Sequence, residues 1–447
     1  MQETVYRTIE VLCAVVAATP IGTNLGLVHL LWMLVSGQLL ASRGAVFPGL
    51  CATGLSEPAV RRAWAALGRG SWSSAGLLGP WRQHVEQAGV WQAHGHGGYR
   101  PVAVDVTGFW RPGLQGCTTS HYHGPAGKAL PAIPVGIVAR VGSVGTQRLG
   151  LPLAFVRADA KDPSPAAHTR ALLHAAVQAT VDDDVLVCDA GFEIRQLQDA
   201  GATRYLVRAA KNVTGRRASL AAYAGRGRPR QRGELIRPLA RTYQDRVLPA
   251  TGPDHVVTWQ EGDAVVRAAW WDDLVLPDVP RTSPTFRLVV IHDPRWTEPL
   301  VLATTLPVSA RALRDLYLDR WPVEQLPLAA KQMLGAARAF VSAPETCRRL
   351  PELALLAGSI LTYLAATQPP VPTGSWDRRP RSTPGRLRRL LAHTVFPTTL
   401  PLPDRIRQKA SLTAHLPKGF WGQRRRSTPI PHASGALHPT SAHAEVA

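Results

Sequence analysis

Cysteine, lysine, aromatic residues and acidic charge are all scarce in this chain of 447 residues. The five cysteines, at 13, 51, 117, 188 and 347, form no Cys-x-x-Cys pair, which excludes a disulfide framework and a cysteine-type zinc site and fits a reducing cytosol. Long hydrophobic runs are missing too. The most apolar stretch, Asn24–Ser42, is interrupted by Gly26, His29, Gly37 and Gln38, so it is expected as a buried helix, and no membrane partner is expected. Met1–Glu10 contains acids and lacks the basic start, apolar run and cleavage site of an export signal, so a cytoplasmic location is expected. With 45% hydrophobic and 18% charged residues, and 38 Gly and 38 Pro breaking the chain into many turns, collagen-like and coiled-coil classes are excluded. The length allows about three domains and a sizeable core.

The shortage of acids leaves 51 Lys and Arg against 31 Asp and Glu, a net +20 that is unevenly placed. Residues 204–246 carry twelve basic residues against Glu234 and Asp245, and residues 371–447 carry thirteen against Asp377, Asp404 and Glu445, so each segment is +10 and the remainder balances. Two basic surfaces on a neutral body suit a polyanion ligand, because each neutralised phosphate releases counterions. Nucleic acid is therefore the leading partner. Only six of the 51 are Lys, and an arginine bias of this kind also arises from a GC-rich genome.

The pattern changes several times along the chain. Residues 1–100 read as helices; Ser56 and Pro58 open one whose stripe is Val60, Ala63, Trp64 and Leu67 and whose Arg61 and Arg62 face outward, compatible with a helix-turn-helix or with a plain helical subdomain. Over 101–212, strands are expected at Val102–Val106, Ile133–Val141, Leu149–Arg157, Val185–Cys188 and Tyr205–Val207, with helices over Ala166–Thr180 and Glu193–Ala200. Residues 213–299 read as a β-rich insertion, with a hairpin around Glu261-Gly262-Asp263. Over 300–370 come a strand at Leu300–Ala303, one helix over Ala310–Lys331 and an apolar helix over Pro351–Ala366, and 371–447 reads as a basic, partly disordered C-terminal region.

Three carboxylates lie where an α/β site would place them. Asp105 interrupts an apolar strand, Asp189 ends another, and Glu324 belongs to the run from Tyr317 through Arg320 to Lys331. An unpaired carboxylate on a buried strand is costly and needs a cation or hydrogen-bond partner. On one ideal helix, Tyr317, Arg320, Glu324 and Lys331 fall within roughly 60° of each other. An acid flanked by cations on one face suits a metal and phosphate site.

Tyr-x2-Arg-x3-Glu-x6-Lys is similar to the signature of a large group of bacterial insertion-sequence transposases of the DDE type, as are Arg320-Trp321 ahead of Glu324 and Asp189 ahead of Gly191-Phe192. The resemblance covers about residues 100–367. It implies an α/β ribonuclease H-like core in which two strands each give an Asp and a later helix the Glu, interrupted by a β insertion for which the step of 135 positions from Asp189 to Glu324 leaves room. It further implies that Asp105, Asp189 and Glu324 bind two Mg²⁺ ions, replaceable by Mn²⁺, for cleavage of DNA and joining of the 3′ ends to target DNA. Tyr317, Arg320 and Lys331 would contact phosphates near the cut. Two protomers would pair the element's ends on double-stranded DNA, at the bacterial nucleoid. A Trp near the strand before the signature stacks on a displaced base in that group, and Trp296 is the nearest here. Pro322 and Pro327 depart from a regular helix, Pro327 by removing the amide that would bond to Val323. Two alternatives use the same residues: a ribonuclease H-like nuclease without strand transfer, and a non-catalytic DNA-binding protein derived from a transposase.

Other residues have plainer readings. Asp182, Asp183 and Asp184 read as a solvated turn, Asp159 and Asp162 as loop caps, and His121 and His123 as a substrate-loop or surface pair without a third ligand. Arg226, Arg228 and Arg230 lie in Gly-Arg-Gly-Arg-Pro-Arg, a segment similar to minor-groove AT-hooks; a flexible basic loop predicts DNA contact equally.

Overall fold

An all-apolar helix has no solvent face to offer, and the segment after Thr23 behaves accordingly. Six helices open the chain: α1 (Gln2–Val15), α2 (Thr23–Val35), α3 (Gln38–Ala41), α4 (Val46–Cys51), α5 (Glu57–Arg69) and α6 (Ser74–Ala88). Every residue of α2 from Gly26 to Val35 is buried. In this computed structural model the described residues are 2–406 apart from 221, 224, 226, 227, 229, 373 and 398, and they belong to one compact unit. The opening helices do not close a core of their own. Leu12, Leu30, Leu67 and Trp81 share one hydrophobic cluster with Ile137 and Leu151 of the sheet and with Leu353 and Leu356 further on.

The sheet strands are β1 (Trp91–Ala93), β2 (Arg100–Trp110), β3 (Ser120–His123), β4 (Lys128–Val144), β5 (Gln147–Arg157), β6 (Asp184–Cys188) and β7 (Tyr205–Arg208). After them come β8 (Gly215–Arg217), β9 (Leu235–Ile236), β10 (Arg241–Tyr243), β11 (Arg246–Leu248), β12 (His255–Glu261), β13 (Ala264–Val275), β14 (Phe286–His292) and β15 (Leu300–Thr304). Strand β2 pairs antiparallel with β4 and β4 with β5, while β2 and β6, and β6 and β7, are parallel. The sheet therefore runs β5-β4-β2-β6-β7 and continues through antiparallel β15, β14 and β13. Parallel neighbours need crossovers, and α7 (Pro165–Ala179) and α8 (Ile194–Asp199) supply them. The expected β insertion is thus partly continuous with the central sheet: its hairpin β12–β13 turns at Gly262, φ 60°, and β14 pairs with β15.

The signature does not form the single helix expected over 310–331. It divides into α9 (Ala310–Leu318), a turn at 319–321, α10 (Pro322–Leu328) and a π-helical turn over Ala329–Met333. The prolines explain both breaks. Pro322 opens α10 in the first turn, where no amide is required. Pro327 cannot donate to Val323, and just past it the ladder widens until Leu334 N–H reaches the Ala329 carbonyl at 3.0 Å. Helix α11 (Pro344–Thr367) is long and apolar enough to cross a membrane by composition, yet 83% of its apolar window is buried inside the fold. Part of the basic C-terminal region is ordered: α12 (Pro384–Ala392) buries Leu387 and Leu391, and Phe396 packs edge-on against His29 and Trp32. Residues 407–447 lie outside the described residues.

Where α2 crosses α5, a Cβ on Gly26 would stand 2.7 Å from the Ala66 Cβ and 3.2 Å from the Arg62 carbonyl. Gly26→Ala is therefore expected to destabilise the protein by about 1–3 kcal/mol through overpacking, despite the better helix propensity of Ala. A lower melting temperature in calorimetry is the expected result.

Candidate active site

Parallel pairing decides which acids meet. Val104 of β2 stands opposite Cys188 of β6, so the next residue on each strand, Asp105 and Asp189, emerges from neighbouring strands about 4.8 Å apart. Side chains alternate across a strand. Asp105 follows Ala103 and precedes Thr107 and Phe109 on the face that packs under α10, and Asp189 follows Val187 on the face covered by α9. Glu324, in the first turn of α10, comes to the same side.

The three carboxylates have different surroundings. Asp105 Oδ1 accepts the Val106 amide at 2.8 Å. Burial first, and then the nearby charge of Asp189, push the Asp105 carboxyl up to about 6; Glu324 adds to the shift, while Arg320 and the Val106 amide oppose it. Asp189 Oδ1 accepts the Gly191 amide at 2.9 Å, and a Cβ at Gly191 would crowd that oxygen at 3.0 Å. Glu324 Oε1 accepts Arg320 Nη2 at 2.5 Å. Arg320 is buried, its Nε and Nη1 have no hydrogen-bond partner, and its guanidinium lies 5.9 Å from the Tyr317 ring.

Lys331 joins the same group despite the broken helix. Its Nζ donates to Thr107 Oγ1 at 2.6 Å and sits 4.5 Å from the Trp110 ring and 5.2 Å from Phe109. Burial pulls the ammonium down to about 8, against the attraction of Asp105. Trp296 stands apart from the acids: it lines a surface hollow with Arg208, Leu300 and Tyr317, and the Arg314 guanidinium lies 5.3 Å from its ring. Arg228 and Arg230 are exposed, and Arg226 lies outside the described residues.

Sequence reasoning missed Asp319 altogether. This buried carboxylate, one residue before Arg320, receives His94 Nδ1 at 2.7 Å, His96 Nε2 at 3.0 Å and the guanidinium of Arg148. Burial would raise its pKa, but the hydrogen bonds from His96 and His94, with the charge of Arg148, outweigh it and hold the group below the usual carboxylate range. The clamp ties the segment after β1 and the start of β5 to the turn that aims Arg320. The only sequence signal was the His94-x-His96 spacing. His121 lies where a substrate-loop residue would. It lines the cleft that holds Asp105, Asp189, Tyr122 and Phe192, and burial, helped by Lys331 and His168, favours its neutral ring. The Asp182–Asp184 turn needs correction at one position: Asp184 is fully buried, held by Arg140 at 2.6 Å and Arg100 at 3.2 Å, since an acid at the start of a central strand cannot reach water. Asp159 and Asp162 accept the amides of Lys161 and Ser164, as caps.

The donor set suits a hard divalent cation. Carboxylate oxygens are the preferred ligands of Mg²⁺, and beside burial, the larger cause, the neighbouring charges of Asp189 and Glu324 contribute to the raised pKa of Asp105, a contribution that a cation would relieve. Among the described residues, however, no three His, Cys, Asp or Glu side chains already form a closed metal-binding group. Glu324 is turned to Arg320 and would have to leave it to join Asp105 and Asp189.

The shift at Asp105 makes a stability prediction. A carboxyl whose folded pKa lies above its unfolded value costs stability once pH exceeds the unfolded value, and the cost is complete above about 6. Asp105→Asn is expected to stabilise the metal-free protein by about 2 kcal/mol at pH 8 and to have little effect near pH 4, read from denaturant unfolding at the two pH values. No family model matches the chain and no curated protein matches it.

Proposed function

We propose that the protein is a Mg²⁺-dependent DDE transposase that binds the ends of its own element, cleaves DNA phosphodiester bonds and joins the 3′ ends to target DNA. The observation that carries this reading is the adjacency of Asp105 and Asp189 at the ends of paired parallel strands, with Glu324 on the same face. Strand order supports a ribonuclease H-like core: three antiparallel strands, β5-β4-β2, followed by parallel β6 and β7 beyond the first of them in sequence. In this reading Asp105, Asp189 and Glu324 hold the metal, which when bound supplies an activated water or 3′-hydroxyl and charge stabilisation for the leaving oxygen. Arg320, with two guanidinium nitrogens unpartnered, offers donors to a phosphate. Tyr317 lies beside it, and Lys331 borders the acids through Thr107. Hydrolysis breaks one P–O bond as water forms another, leaving a 3′-hydroxyl. That hydroxyl then attacks a target phosphodiester with equal exchange of P–O bonds.

The ion pair between Glu324 and Arg320 favours a second reading, a DNA-binding protein without turnover, in which the pair stays closed. Incubating the purified protein with end-bearing duplex and Mg²⁺ separates the two. Wild type is expected to cleave and to yield strand-transfer products, and Asp189→Ala to lower cleavage by at least about a hundredfold. Cleavage that survives Asp189→Ala would remove the site assignment. No cleavage by wild type in Mg²⁺ or Mn²⁺ would leave the binding-only reading, and cleavage without strand transfer would leave a nuclease.

A further inference from the structure

Strands β10 and β11 stand outside the large sheet. Among the described residues they pair only with each other, Arg241 with Leu248, Thr242 with Val247 and Tyr243 with Arg246. The turn residues Gln244 and Asp245 both have positive φ, 47° and 57°, as a two-residue hairpin of matching twist requires. A lone two-stranded hairpin is marginal in water, and here its foot is anchored: Arg241 Nη1 donates to the Asn212 carbonyl at 3.0 Å, Arg237 Nη1 to the Pro249 carbonyl at 3.0 Å and Trp271 Nε1 to the Gly252 carbonyl at 2.9 Å. The rest faces solvent, with Tyr243 60% and Val247 74% exposed. Because side chains alternate, one face carries Arg241, Tyr243, Arg246 and Leu248, and the other Thr242 and Val247.

We propose that the face bearing Tyr243 and Arg246 docks in a groove of duplex DNA. A two-stranded ribbon fits the major groove of B-form DNA, about 12 Å wide, but not the deep, narrow major groove of an RNA duplex. Charge argues for the same partner, since the hairpin closes the segment 204–246 with its twelve basic residues against two acids. An aromatic ring beside an exposed arginine gives one packing contact and one phosphate contact, whereas a protein-docking face would be more apolar. The inference rests on the proposed function only in taking DNA as the partner, and it uses none of the carboxylates.

Fluorescence anisotropy with the full chain and a labelled duplex tests it. Tyr243→Ala is expected to weaken binding about tenfold, and Arg246→Gln about fivefold while lowering the slope of log affinity against log salt by about one. Val247→Ser, on the opposite face, is expected to change affinity less than about twofold. Wild-type affinity in both Tyr243→Ala and Arg246→Gln overturns the proposal, as does tighter wild-type binding to single strands or to RNA duplex than to DNA duplex. Wild type that binds duplex through this face but never cuts it contradicts the transposase reading alone. Cleavage with unaltered binding by the hairpin variants contradicts the hairpin alone.

Discussion

Two like charges brought to adjacent strand ends are the constraint on which the rest of the structure turns. At a strand spacing of about 4.8 Å and an effective dielectric of about 20, their repulsion is on the order of 3 kcal/mol, and it adds to burial, the larger cause, in raising the pKa of Asp105. Nothing in the packing of β2 and β6 requires acids at these positions. Val102 and Val104 on one strand and Val185 and Val187 on the other make the buried core without them. In the proposed reading, a fold that keeps an unfavourable pair at the mouth of a cleft carries it for chemistry rather than for stability.

The remaining parts of the site are positioned around that pair. The Asp319 clamp fixes the turn between α9 and α10 by three bonds from two separate segments, so Arg320 enters the site from a rigid support. Arg320 then holds Glu324. In the proposed reading this ion pair is the resting state of the third carboxylate, and a cation shared with Asp105 and Asp189 competes with Arg320 for it. Released from Glu324, the guanidinium has its donors free for a phosphate. The ribbon of β10 and β11, in the further proposal, gives the duplex a separate point of attachment.

Much of the architecture was legible in the sequence because period-two and period-three-to-four patterns report burial directly. Val102–Val106, Val185–Cys188 and Tyr205–Val207 all fall inside observed strands, and the Gly262 hairpin is where its turn residues place it. The signature residues were legible as residues but not as geometry. Two prolines replace one straight helix by two helices and a π turn, and Lys331 reaches Thr107 along a path that an ideal helical wheel does not describe. Asp319, His94, His96 and Arg148 could not be grouped from their numbers, since the clamp joins positions 171 to 225 residues apart through tertiary packing alone. Asp184 misled for a related reason: an acidic run reads as solvated until the strand that buries its last member supplies Arg100 and Arg140.

The central claim is that Glu324 completes a cation site with Asp105 and Asp189. A structure of the protein with end-bearing DNA and Ca²⁺, which fills such a site without supporting turnover, tests it most directly. The account predicts that Glu324 has left Arg320 and that oxygens of all three carboxylates lie about 2.3–2.6 Å from bound cations. A complex in which Glu324 still accepts from Arg320, while the cation is held by other groups, would contradict it.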